Sequence, residues 1–87
     1  MSAVKSKVFF ISVNKIGNDF YVFFFKNNRE LSLESLCNLG LDIAIHYDDF
    51  NNLRGYCRPQ FDTELDATSW AKKQLIKLKE LNRLNKI

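Results

Sequence analysis

Apolar residues concentrate most densely in Phe20-Tyr21-Val22-Phe23-Phe24-Phe25, six consecutive positions of which five are aromatic. Aromatic and β-branched side chains fit a pleated surface, and six residues is an ordinary strand length. Alternation puts Phe20, Val22 and Phe24 on one face of this strand and Tyr21, Phe23 and Phe25 on the other. Both faces are apolar, so each requires a cover. The chain itself supplies one; the second is an opening for a partner.

The pattern on either side predicts the remaining elements. Residues 1–6 read as a loose lead-in. Lys7 to Val13 alternates as a first strand, with Phe9, Ile11 and Val13 opposed to Val8 and Phe10. The polar stretch from Asn14 to Asp19 contains Gly17 and Asn18, which tolerate positive φ, and joins the two strands as a β-hairpin. Lys26 to Glu30 closes the aromatic strand. Ser32 then caps a short helix with Glu34 near its positive end, Leu33, Leu36 and Cys37 on its inner stripe, and Gly40 as a left-handed stop.

Leu41 to Tyr47 alternates as a half-exposed strand, with Leu41, Ile43, Ile45 and Tyr47 facing one way. Asp48 to Asn52 is rich in residues that bond their own backbone and reads as a turn. Leu53 to Arg58 is a shorter strand, weakened by Gly55 and ended by Pro59, with Arg54 and Arg58 discouraging edge pairing. A long final helix opens at Asp62, Thr63 or Asp66. Its inner stripe is Ala67, Trp70, Ala71, Leu75, Leu78 and Leu81. Lys72, Lys79, Arg83 and Lys86 form a basic ridge opposite, with Ile76 and Ile87 beside it. The order is ββαββα. It predicts a single α+β domain over residues 1–87: a four-stranded antiparallel sheet with two helices packed on one face.

Composition adds constraints. Eighty-seven residues suffice for one core only, and 46% apolar content is that of a folding chain. A core this small gains from dimerisation. The net charge is +3, but it is unevenly placed. Residues 72–87 carry Lys72, Lys73, Lys77, Lys79, Arg83 and Lys86 against Glu80, a net of +5. The first 71 residues hold seven bases and nine acids. This asymmetry suits an anionic partner, and equally a helix dipole that favours cations at its C-terminus. Cys37 and Cys57 are too few for a disulfide framework and are expected as reduced thiols in a cytoplasmic protein. Lys5 and Lys7 before Val8 to Val13 mimic a signal peptide loosely, but Ser12 and Asn14-Lys15 cut the apolar run short.

Candidate chemistry is sparse. Cys37, His46, Asp48, Asp49 and Cys57 hold ligand atoms without metal-site spacing, so no metal or cofactor is expected. His46 with Asp48 has the makings of a base, and Arg54, Tyr56 and Arg58 would complete a ribonuclease-like set. No nucleophile or phosphate-cradling motif accompanies them, and the chain is read as non-enzymatic.

Two binding readings remain. In the first, Tyr21, Phe23, Phe25, Arg54, Tyr56 and Arg58 contact a protein: a second copy, or a foreign partner such as a nucleoprotein complex. In the second, exposed sheet aromatics and the ridge Lys72, Lys79, Arg83 and Lys86 bind nucleic acid. The aromatic stretch lacks the glycine and basic pattern of RNP1, so it does not match an RNA-recognition motif. Neither a membrane nor a small-molecule substrate is indicated. In size, simplicity and lack of catalytic residues the chain resembles small phage- or plasmid-encoded inhibitors of host machinery, the anti-CRISPR and anti-restriction kinds among them. That resemblance implies a rigid wedge that occupies a surface without chemistry.

Overall fold

The computed structural model describes residues 2–87. The protein is α+β, with an antiparallel sheet and a long C-terminal helix. Its elements are β1 (Ser2–Lys5), β2 (Phe9–Ile16), β3 (Asp19–Lys26), β4 (Arg29–Glu30), α1 (Leu33–Asn38), β5 (Ala44–Tyr47), β6 (Leu53–Cys57), β7 (Gln60–Phe61) and α2 (Glu64–Arg83).

The main sheet differs from the expected one. It has five strands in the order β1-β2-β3-β4, with β7 also paired to β3. The strands expected over 41–47 and 53–58 stand apart as a two-stranded β5–β6 hairpin. Residues 2–5, expected as a lead-in, pair with β2 from Ser2↔Val13 to Lys5↔Phe10, while Met1 lies outside the described residues. Two short strands were hidden for different reasons. β4 follows a two-residue turn in which Asn27 and Asn28 both have positive φ (50° and 66°), the type I′ requirement that asparagine tolerates. β7 is two residues long and carries no periodicity of its own.

The expected β2–β3 hairpin forms with longer strands and a tighter turn: Asn14, Lys15, Ile16 and Asp19, expected in the turn, pair in the ladder, and Gly17-Asn18 alone joins Ile16 to Asp19. Gly17 takes φ +65°, and its lack of a Cβ makes this left-handed position accessible. The helix ends also follow the sequence. The Ser32 hydroxyl accepts from the Ser35 N–H (3.1 Å) and that of Thr63 from the Asp66 N–H (3.1 Å). α1 closes in a Schellman motif: Gly40 N–H donates to Cys37 O and Leu41 N–H to Leu36 O, both at 3.0 Å. α2 closes the same way with Asn85 (φ +59°) in the glycine position, donating to Asn82 O while Lys86 N–H donates to Leu81 O.

One face of the sheet builds the core. Val4, Phe9, Ile11, Val13, Val22 and Phe24 pack under Ala67, Ala71, Leu75 and Leu78 of α2, and Leu36, Leu41 and Ile43 complete the same cluster. Each fully buried Val, Leu or Phe contributes about 1.5–3 kcal/mol, so this cluster is the main favourable term in folding. Trp70 lies between Phe24 (5.8 Å between centroids) and Phe61 (5.4 Å), fastening β7 to the helix that follows it. Ile87, expected beside the ridge, instead packs half-buried against the core.

The buried stripe of α2 contains one residue that hydropathy does not select. Gln74 is 7% exposed, and its Oε1 has no hydrogen-bond partner among the described residues. A buried acceptor left unpaired costs about 1–3 kcal/mol. Gln74→Leu should therefore stabilise the fold by about 1 kcal/mol, read as a higher urea midpoint at unchanged slope. A lower midpoint would mean that Oε1 is satisfied in solution.

Candidate functional site

The face of the sheet opposite α2 is the principal candidate. Among the described residues, α2 packs on β1, β2, β3 and β7, and α1 against β6; no helix lies on the other side. The shortest dimension of the molecule is 20 Å, about two layers of secondary structure at roughly 10 Å each. The registers fix what this face displays. One row across the strands reads Lys5, Phe10, Phe25, Glu30; the next reads Ala3, Ser12, Phe23; the third reads Asn14, Tyr21, Gln60. Phe10, Tyr21, Phe23 and Phe25 are all half-buried. Phe10 and Phe25 make a tilted pair at 5.8 Å, and Lys5 Nζ lies 5.6 Å above the Phe10 ring.

Arg58 is the organising side chain of this face. The outer edge of β3 pairs with β7 at Phe20 and Tyr21 and with β4 at Phe25 and Lys26, leaving a gap between. At the gap the Val22 N–H donates to Pro59 O (3.2 Å), and the Arg58 guanidinium donates to Val22 O (3.2 Å). The same guanidinium stacks over Phe23, 4.2 Å from its centroid, and pairs with Glu30 at 3.1 Å. Arg58, expected to repel a neighbouring edge, instead completes one. The formal charges on the face balance, with Lys5 and Arg58 against Asp19 and Glu30.

Of the expected protein-contacting residues, Tyr21, Phe23, Phe25 and Arg58 come together here. Arg54 and Tyr56 do not. Both belong to the β5–β6 hairpin, where Arg54 is exposed at a register irregularity and Tyr56 packs against the core. Burial pushes the Tyr56 phenol up, with Glu34, Cys37 and Tyr47 adding to it. Phe10 was missed because its strand was read by its inner face; its pairing with Phe25 is visible only once the hairpin register is known.

The hairpin is a second exposed feature. Leu41 and Ile43 are buried, but the alternation continues past the body of the protein. Ile45, Tyr47 and Leu53 are therefore exposed, and Phe50 at the tip is 84% exposed. The Asp48 carboxylate holds the tip by accepting from the N–H groups of Phe50 (2.8 Å) and Asn52 (2.9 Å). Asp48 is thus bonded within its own loop, and His46 is solvent-exposed. No group of three His, Cys, Asp or Glu side chains among the described residues is placed to hold a metal, and Cys37 and Cys57 are unpaired. No helix among the described residues is long and apolar enough to cross a membrane.

The basic ridge divides. Lys79 and Arg83 line a cleft of about 430 Å³ with Lys5 and Lys7 of the β1–β2 turn. Lys72 is exposed outside that cleft, and Lys86 lies beyond the end of α2. Arg83 also pairs with Glu80 one turn back, and this hydrogen bond holds the Glu80 carboxyl below its usual value.

Two outcomes follow from these contacts. Arg58→Lys keeps the charge but loses the planar fork and the stacking, and should cost about 1–2 kcal/mol; an unchanged denaturation midpoint would mean that water replaces the guanidinium at Val22 O. For Asp48, the backbone donors of Asn52 and Phe50 lower the carboxyl pKa from its ordinary 3.8. The order they give the tip is complete above that value and is lost as pH falls through the lower folded one. The Phe50 and Asn52 amide signals in NMR should titrate below 3.8, whereas a midpoint at or above it would remove the turn's claim on Asp48. Compared with known families, characterised proteins and solved structures, the chain matches none.

Proposed function

We propose that this protein is a non-enzymatic protein-binding module that acts by occupying a partner's surface with the uncovered face of its sheet. The observation that carries this reading is the set Phe10, Tyr21, Phe23 and Phe25 around Arg58, on a face without a helix over it. Aromatic residues and arginine dominate interface energetics, and a polar rim around an apolar centre is ordinary interface anatomy. Ser12, Asn14 and Gln60 supply polar positions between and beside the rings. The balanced charge of the face favours a protein over a phosphate backbone as its ligand. The exposed apolar tip of the β5–β6 hairpin adds a second contact of the same character. A second copy of the chain and a foreign protein are both suitable occupants. Inhibition of a host defence complex by steric occupation is the role such a rigid face would serve.

Tyr21→Gln with Phe23→Gln separates an interface from a core. Both rings are half-exposed on the open face, so the double variant should stay folded by circular dichroism. Phe24→Ala, on the buried face, should cost about 3–5 kcal/mol. Wild type should self-associate in sedimentation velocity or co-migrate stoichiometrically with a captured partner, and the folded double variant should do neither. If the double variant unfolds as Phe24→Ala does, the rings are core and the reading fails. It also fails if association survives in the folded variant.

A further inference from the structure

We propose that the cleft between the β1–β2 turn and the C-terminal half of α2 binds single-stranded nucleic acid, with its phosphates on Lys5, Lys7, Lys79 and Arg83. This site adjoins the open face and shares Lys5 and Phe10 with its margin, while Tyr21, Phe23 and Arg58 lie outside it. Antiparallel pairing gathers positive charge at one end of the sheet, where β1 ends at Lys5, β3 ends at Lys26 and β4 begins at Arg29. The last turns of α2 bring Lys79 and Arg83 to the same end. Among the described residues, the acid paired with a cleft base is Glu80, which holds one side of Arg83. The volume of about 430 Å³ is within the range of small-ligand sites and fits a nucleotide-sized group. Ser6 and Asn82 add polar side chains to the lining.

The cleft has a continuation, and the continuation favours a strand over an isolated phosphate. On the other side of the same turn is a second hollow of about 200 Å³, again lined by Lys5 and Lys7, and bounded by Phe10, Asn27 and Asn28. The two hollows share residues 5–9, so together they lead around the sheet end from the helix side to the edge of the aromatic face. A cationic groove leading to an aromatic ring is the arrangement that holds single strands: cations follow the backbone, and a base stacks on the ring whatever its identity. Phe10 is that ring, half-buried and paired with Phe25. A sequence-tolerant ligand follows, because backbone contacts and stacking on a ring do not depend on the identity of the base.

The test is fluorescence anisotropy with a labelled oligothymidylate of about twelve nucleotides, titrated at several salt concentrations. Three or four neutralised phosphates predict a log–log salt slope of about −2 to −3, so affinity should fall roughly thirtyfold between about 50 mM and about 200 mM salt. Lys7→Glu with Lys79→Glu should weaken binding at least tenfold and flatten the slope by about one unit or more. Lys15→Glu with Lys73→Glu makes the same charge change outside the cleft and should cost much less. Phe10→Leu, which keeps an apolar side chain, should lose about tenfold without changing the slope. Equal losses in the two charge-reversal pairs would reduce the binding to overall charge and overturn the proposal. So would no binding at the lowest salt, or displacement by polyglutamate as effective as by unlabelled strand, which would assign the cleft to an acidic protein.

Discussion

The structure depends on satisfying both hydrogen-bonding edges of β3. Its inner edge is occupied along its whole length by β2. Its outer edge is assembled from three pieces: β4 at one end, which follows it through a two-residue turn, and, from much further along the chain, β7 at the other end with Pro59 and the Arg58 guanidinium between them. A central strand with an open edge is a template for unwanted pairing, and the backbone groups of β3 adjoin the most apolar stretch of the chain. Arg58 is suited to the gap because its fork reaches a carbonyl, a carboxylate and an aromatic face at once. This edge also decides where the last helix starts. β7 leads through the Thr63 cap into α2, and Phe61 meets Trp70 one layer above the sheet.

The second constraint is size. One helix covers one face of the sheet, and the remaining segments complete the same core through Leu36, Leu41 and Ile43 rather than crossing to the other side. The aromatic side chains left on the far face bury one another in part, with Lys5 and Arg58 lying over two of the rings. The alternation from Leu41 to Tyr47 likewise outruns the body it packs on, which leaves an apolar hairpin tip in solvent. Antiparallel pairing then places the lysines of the β1–β2 turn beside the end of α2, remote from the acids near the start of that helix. Aromatic face, hairpin tip and basic cleft thus arise from one short chain with a single core.

What the sequence by itself determined was local. The Gly17-Asn18 hairpin, the Ser32 and Thr63 caps, the Gly40 stop and most of the buried stripe of α2 depend on backbone preferences and periodicities that act within a few residues. The two apolar faces of β3 were visible for the same reason. Tertiary structure alone decided which strands became neighbours. It took β5 and β6 out of the sheet, drew residues 2–5 and the pair Gln60–Phe61 into it, and buried Gln74 against hydropathy. It also split the expected contact set, keeping Arg58 beside Phe23 while sending Arg54 and Tyr56 to the hairpin, and it joined Lys79 and Arg83 to Lys5 and Lys7. Apart from the short-range pairing of residues 2–5 with β2, these choices rest on contacts between residues far apart in sequence, such as Val22 with Arg58 36 positions on, where no local preference acts and the competition among edges and faces for burial and hydrogen bonds sets the outcome.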